Sequence, residues 1–118
     1  MTYQEVAEMI AEIGVPSTYY QFPKGTDQFP EGTGKGPPYV CFFYPNDDDL
    51  HADNHNYVRI RQLVIELYTD EKDLDLEATV EGVLTSHDLA YSYAEEFLDS
   101  EQMHETIYTT EVIINVDS

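Results

Sequence analysis

Positive charge is nearly missing from this chain. Its 118 residues hold 5 lysines and arginines against 24 aspartates and glutamates, for a formal net charge of -19. Such a surface repels the phosphates of nucleic acids and of anionic membranes, which argues against ordinary binding to either. Repulsion leaves other roles open: lining a passage for DNA, imitating DNA, or keeping the chain soluble. Cysteine is scarcer still. Cys41 is the only one, so no internal disulfide can form, and its place in an apolar run marks it as a small buried hydrophobe with no redox role. No apolar run approaches the roughly 18 residues of a membrane span. The opening Met1-Thr2-Tyr3-Gln4-Glu5 has neither the basic nor the apolar part of a signal peptide. The expectation is synthesis in a cytoplasm and no membrane partner.

What is present is apolar area sufficient for a core. Hydrophobic residues make up 42% of the chain and aromatics 13%, enough to offset the entropy of ordering despite the charge. The length fits one α+β domain over residues 1–118, since domains cluster at about 100–150 residues. Val6, Met9, Ile10 and Ile13 recur with helical spacing while Glu5, Glu8 and Glu12 take other faces, which predicts an amphipathic helix over Thr2 to Ile13. Thr2 and Glu5 match a capping box, and Gly14 before Val15-Pro16 matches a stop. Ser17 to Phe22 reads as a short aromatic strand, and the glycine- and proline-rich stretch Pro23 to Pro38 as a loop. The run Tyr39-Val40-Cys41-Phe42-Phe43-Tyr44 predicts a central strand covered on both faces.

After an acidic connection from Asp47 to Asn56, Tyr57 to Thr69 alternates as a long strand. Leu63, Ile65 and Leu67 share one face, and Val58, Ile60 and Val64 the other. A second helix is expected from about Asp73 to His87, with Leu76, Val80, Val83 and Leu84 facing the sheet and acids in the first turn complementing the helix dipole. Ala90 to Leu98 and Met103 to Val116 complete the pattern as a hairpin around Asp99-Ser100-Glu101-Gln102. The order α-β-β-β-α-β-β predicts an α+β fold, a single antiparallel or mixed sheet packed against two helices.

Candidate chemistry is thin. Asp49, His51, Asp53 and His55 would share one side if the segment were extended, a ligand set suited to zinc or manganese. The segment lacks the glycine and glutamate of a calcium loop, and a solvated acidic loop is the commoner outcome. Gly32-Thr33-Gly34-Lys35-Gly36 fails the phosphate-loop pattern at Phe29 and Gly36. Neither His87 with Asp88 nor Cys41 with a histidine comes with a nucleophile, an orienting group and an oxyanion site together, so no catalysis, cofactor or metal is expected. Lys24, Phe29, Lys35, Arg59 and Arg61 are instead candidates for an oligomer or partner interface. Arg59 and Arg61 lie on one strand face, where they can pair with acids of their own sheet or of a neighbouring subunit. The ten tyrosines suit either sheet packing or an interface.

The helix ending at Gly14, the strand from Tyr19, the loop before Pro38 to Tyr44, the strand Tyr57 to Thr69, the helix Asp73 to His87 and the final strand pair together resemble the tail-terminator, or tail-completion, proteins of long-tailed bacteriophages and prophages. The likeness is one of element order, size and acidity over most of the chain. It implies a structural virion protein of the neck: a ring, commonly of six copies, that ends the tail tube and offers the surface on which the head docks. Its implied partners are further copies of itself, the tail-tube protein and the head-completion or connector proteins, with DNA passing through the ring unbound. The implied location is the virion, after the bacterial host cytoplasm. The alternatives are another neck or tail component and, from a different class, a small acidic DNA mimic that inhibits a nucleic-acid enzyme.

Overall fold

The computed structural model describes residues 1–19, 38–45, 59–99 and 102–114. Helix α1 (Tyr3–Ala11) is followed by strands β1 (Ser17–Tyr19), β2 (Tyr39–Phe43) and β3 (Arg59–Thr69), helix α2 (Leu74–Ser86), and strands β4 (Tyr91–Leu98) and β5 (Met103–Ile114). This is the expected order, in an α+β fold with one mixed sheet.

Local chemistry sets the helix ends. Thr2 Oγ1 accepts from the Glu5 amide at 3.0 Å and the Thr2 amide donates to Glu5 Oε1 at 2.9 Å, the reciprocal capping box. Gly14 takes φ 90°, a left-handed conformation that carries the chain away from α1. Asp73 caps α2 by accepting from the Leu76 amide at 3.0 Å. At the far end His87 is the C-cap, as expected, and its ring lies 3.2 Å from Glu12 just beyond α1, which ties the two helices together.

The sheet order is β1-β2-β3-β5-β4. The pairs β2/β3, β3/β5 and β5/β4 are antiparallel, and β1 is parallel to β2. A parallel pair needs a crossover of about a dozen residues or more, which accounts for the long separation of Tyr19 from Tyr39 in the sequence. The middle strand is β3, and the apolar run β2 is an interior strand between β1 and β3, as the sequence suggested. β2 is buried on both faces, with Val40 and Phe42 in the main core and Tyr39 and Cys41 in a smaller cluster with Tyr68 and Met103.

Strand alternation sorts the sheet into two faces. Leu63, Ile65 and Leu67 of β3 and Tyr108, Val112 and Ile114 of β5 join Val6, Met9 and Ile10 of α1 and Val80 and Leu84 of α2 in one core. Both helices thus cover the same face, and no helix among the described residues covers the opposite one. Arg59 and Arg61 share the parity of Leu63 and so belong to the helix-covered face. Among the described residues no helix is long and apolar enough to cross a membrane.

Because Ile65 is fully buried at the centre of this core and Ile113 is 58% exposed on the open face, the two positions should respond differently to truncation. Ile65→Ala is expected to lower unfolding free energy by about 2–5 kcal/mol and Ile113→Ala by roughly 0.5 kcal/mol or less, read from urea unfolding midpoints.

Candidate functional site

Three groupings of side chains stand out, and the first lies on the helix-covered side where α2 meets the β4/β5 hairpin. Period-two alternation places Tyr93, Glu95 and Phe97 of β4 opposite Tyr108, Thr106 and His104 of β5. Lys72, just before the α2 cap, reaches into this row. Its ammonium donates to Glu95 Oε1 at 2.6 Å, Tyr93 Oη at 2.6 Å and Glu77 Oε1 at 3.1 Å, which uses all three of its donors. These hydrogen bonds hold the ammonium well above the ordinary lysine pKa, that to Glu95 first. They also depress the Glu95 carboxyl, with His104 Nε2 at 3.0 Å contributing. Glu77 is 4% exposed, and its second oxygen accepts from Thr106 Oγ1 at 3.1 Å. Tyr108 Oη completes the layer by donating to Glu81 at 2.8 Å.

Donor atoms of Glu77, Glu95 and His104 lie within 4.8 Å of one another, so two carboxylates and an imidazole converge. The two carboxylates already hold the Lys72 ammonium, and a divalent ion would have to displace it. The physical effect is mechanical: one lysine fastens the start of α2 to the sheet edge. Sequence reasoning missed this, because Glu77 looks like one more first-turn acid serving the helix dipole. The available signal was Glu77 falling next to Leu76 and one turn before Val80 and Glu81, on the side of α2 that faces the sheet.

The second grouping is the open face. Glu66 of β3, Glu105 and Glu111 of β5 and Glu96 of β4 all project there by register, with Glu96 directly opposite Glu105. No lysine or arginine of the described strands shares that face; Arg59, Arg61 and Lys72 all serve the helix side. Tyr68 Oη lies 3.0 Å from Glu66 Oε1 and 3.2 Å from Glu105 Oε2. Tyr39 stacks on Tyr68 with ring centroids 4.9 Å apart. Burial and the neighbouring Glu66, with Glu96 adding to them, push the Glu105 carboxyl up to about 7 against the Tyr68 hydrogen bond. Burial beside the same two carboxylates keeps the Tyr68 phenol neutral.

The third is an aromatic pocket of about 440 Å³ at the β1 end, on the helix side, with Tyr3, Ala7, Tyr19, Phe42, Tyr44 and Arg61 among its walls. Tyr3 meets Tyr44 edge-on at 5.2 Å, and Tyr19 meets Phe42 edge-on at 5.7 Å. Arg61 Nε donates to Tyr3 Oη of α1 at 2.9 Å. Tyr44 Oη is shut off from solvent and finds no hydrogen-bond partner among the described residues. Such an orphan costs about 1–3 kcal/mol. Burial, with Tyr3 and Tyr19 beside it, raises the Tyr44 phenol to about 12.

Of the five interface candidates, the structure brings Arg61 to this pocket and Arg59 to the same strand face. Lys24, Phe29 and Lys35 lie outside the described residues, as do Gly32 to Gly36 and the acidic segment Asp47 to His55 considered for metal binding.

No family model and no curated protein matches the chain. Its fold is similar to that of a chain in the solved virion of a native gene transfer agent particle, with a TM-score of 0.60 and 15% identity over 95% of this chain and 90% of that one.

The open face carries a pH signature. Between about pH 4.5 and pH 7 folded Glu105 retains a proton that the unfolded chain has given up, so its contribution to stability is present below that window and is lost as pH rises through it. Glu105→Gln should remove this slope and leave the variant more stable than the parent at about pH 8, read as urea midpoints at several pH values. An unchanged slope would show that Glu105 titrates normally.

Proposed function

We propose that this chain is a structural protein of a phage-type virion, and that it forms the ring at the neck that ends the tail tube and receives the head. The observation that carries this reading is the fold, shared almost end to end with a chain of a gene transfer agent virion. The element order and acidity, which resemble tail terminators, support the finer assignment to the neck.

Charge layout fits the physics of such a ring. DNA must pass through without adhering, and a wall bearing Glu66, Glu96 and Glu111 with no basic side chain among its described strand residues repels phosphate. We therefore assign the open face of the sheet to the channel and the helix layer to the outside. Ring closure would follow from a heterologous contact, in which one patch meets a different patch on the next copy. The partners in this reading are further copies of the chain, the tail-tube protein and the head-completion proteins. Catalysis has no part in it.

A DNA-mimicking inhibitor is the rival that also uses carboxylates. Mimicry needs acids spaced like phosphates, whereas Glu66 and Glu105 crowd around one tyrosine hydroxyl and compete for charge. That geometry favours the ring.

Light scattering during size-exclusion chromatography tests the reading. A discrete multimer of about six copies is expected, populated more as salt rises from low to moderate concentration, because screening weakens repulsion between acidic subunits. A strict monomer at every salt and protein concentration, competing with DNA for a nucleic-acid enzyme, would favour the inhibitor.

A further inference from the structure

Strand β4 is an edge of the sheet, eight residues long, and every residue from Tyr91 to Phe97 is exposed. Natural sheets guard such an edge with proline, lysine or a bulge. β4 has none of these: its sequence is Tyr-Ser-Tyr-Ala-Glu-Glu-Phe-Leu, and its pairing with β5 runs unbroken from Tyr91 opposite Thr110 to Leu98 opposite Met103. The two sides of the strand differ. On the helix side Tyr91, Tyr93 and Phe97 are 36%, 42% and 51% exposed. On the open side a row of carboxylates crosses the sheet and ends at this edge. Glu66 and Glu105 meet at the Tyr68 hydroxyl, and Glu96 stands directly opposite Glu105, adding to the repulsion that raises the Glu105 carboxyl. No lysine or arginine of the described strands shares that side. Lys72 reaches β4 from the helix side, where Glu77, Tyr93 and Glu95 take its three donors.

We propose that the edge of β4 accepts a further strand from a different protein, an extended segment of alternating apolar and basic residues, with its apolar side chains against Tyr91, Tyr93 and Phe97 and a lysine or arginine beside Glu96. This does not depend on the ring reading. The outward backbone groups of an edge strand supply the pairing, and period-two alternation decides which residue type falls on which side. Charge decides against a second copy. Pairing β4 with β4 would bring Glu95 and Glu96 of two copies close together, and like charges on adjacent strands are destabilising. The opposite edge strand, β1, spans three residues, Ser17–Tyr19, and offers no cation to Glu96. A basic residue on an added strand would end the carboxylate row with the opposite sign.

The test uses the full chain and a labelled peptide of about nine residues alternating lysine and valine, long enough to pair along all of β4. The same peptide N-methylated at every amide keeps the charge and has no N–H to give. Fluorescence anisotropy at about 0.15 M salt should show the plain peptide bound and the N-methylated one weaker by roughly 10-fold or more. Amide hydrogen exchange should slow in Tyr91 to Leu98 when the plain peptide is added. Glu96→Lys, at an exposed position and checked by circular dichroism, should weaken that peptide roughly 10-fold and bind an alternating glutamate–valine peptide instead. The exchange and N-methylation measurements use the parent chain, so they decide the matter even where the variant fails to fold. No binding of the lysine–valine peptide, equal binding of its N-methylated form, slowed exchange confined to other elements, or a folded Glu96→Lys chain that binds as the parent does would each overturn the proposal. So would β4 amides already protected without peptide in a parent that light scattering shows to be multimeric, since the edge would then belong to a second copy.

Discussion

The burial of one sheet face by both helices is the constraint on which the rest of the molecule depends. Val6, Met9 and Ile10 from α1 and Val80 and Leu84 from α2 meet Leu63, Ile65, Tyr108 and Val112 on that face alone. With the helices committed to one side, the other side carries polar and half-buried residues beside the small Tyr39 and Cys41 cluster, and among the described residues no strand pairs with the outer edge of β1 or β4. A one-sided sheet with free edges suits a subunit whose remaining surfaces are completed by neighbours.

Scarcity of positive charge gives each cation an outsized structural role. Lys72 gathers Glu77, Glu95 and Tyr93, and Arg61 is drawn to Tyr3, so these two cations fasten helices to the sheet. Nothing basic among the described strand residues is left for the open face, where carboxylates accumulate until one of them, Glu105, holds its proton to about pH 7. The asymmetry between the faces thus follows from where the few basic residues were needed for packing.

Much of the fold was legible because its signals are local. Helix α1 could be read from the spacing of Val6, Met9 and Ile10 between a capping box and Gly14, and β3 from strict alternation. Strand order was not legible, since the parallel seat of β1 beside β2 depends on pairing between distant segments, and an apolar run such as Tyr39–Phe43 looks central wherever both its faces are covered. The site was less legible still. Arg61 was recognisable as an unusual cation on a strand, but its placement in an aromatic pocket needs Tyr3 and Tyr44 from other elements. Glu77 and Glu105 looked like ordinary surface acids, because burial of a carboxylate is decided by neighbours such as Lys72 and Tyr68 that only the fold brings near.

The central claim concerns where the chain sits in a particle and which way it faces. The direct measurement is a cryo-electron-microscopy map of the particle that carries it, at a resolution that resolves strands. The account predicts a closed ring of copies at the junction of head and tail, with the helices outward and the Glu66, Glu96, Glu105 and Glu111 face turned to the DNA path. Copies found in the shell or at the distal tail tip, or a ring whose helix layer faces the DNA, would contradict it.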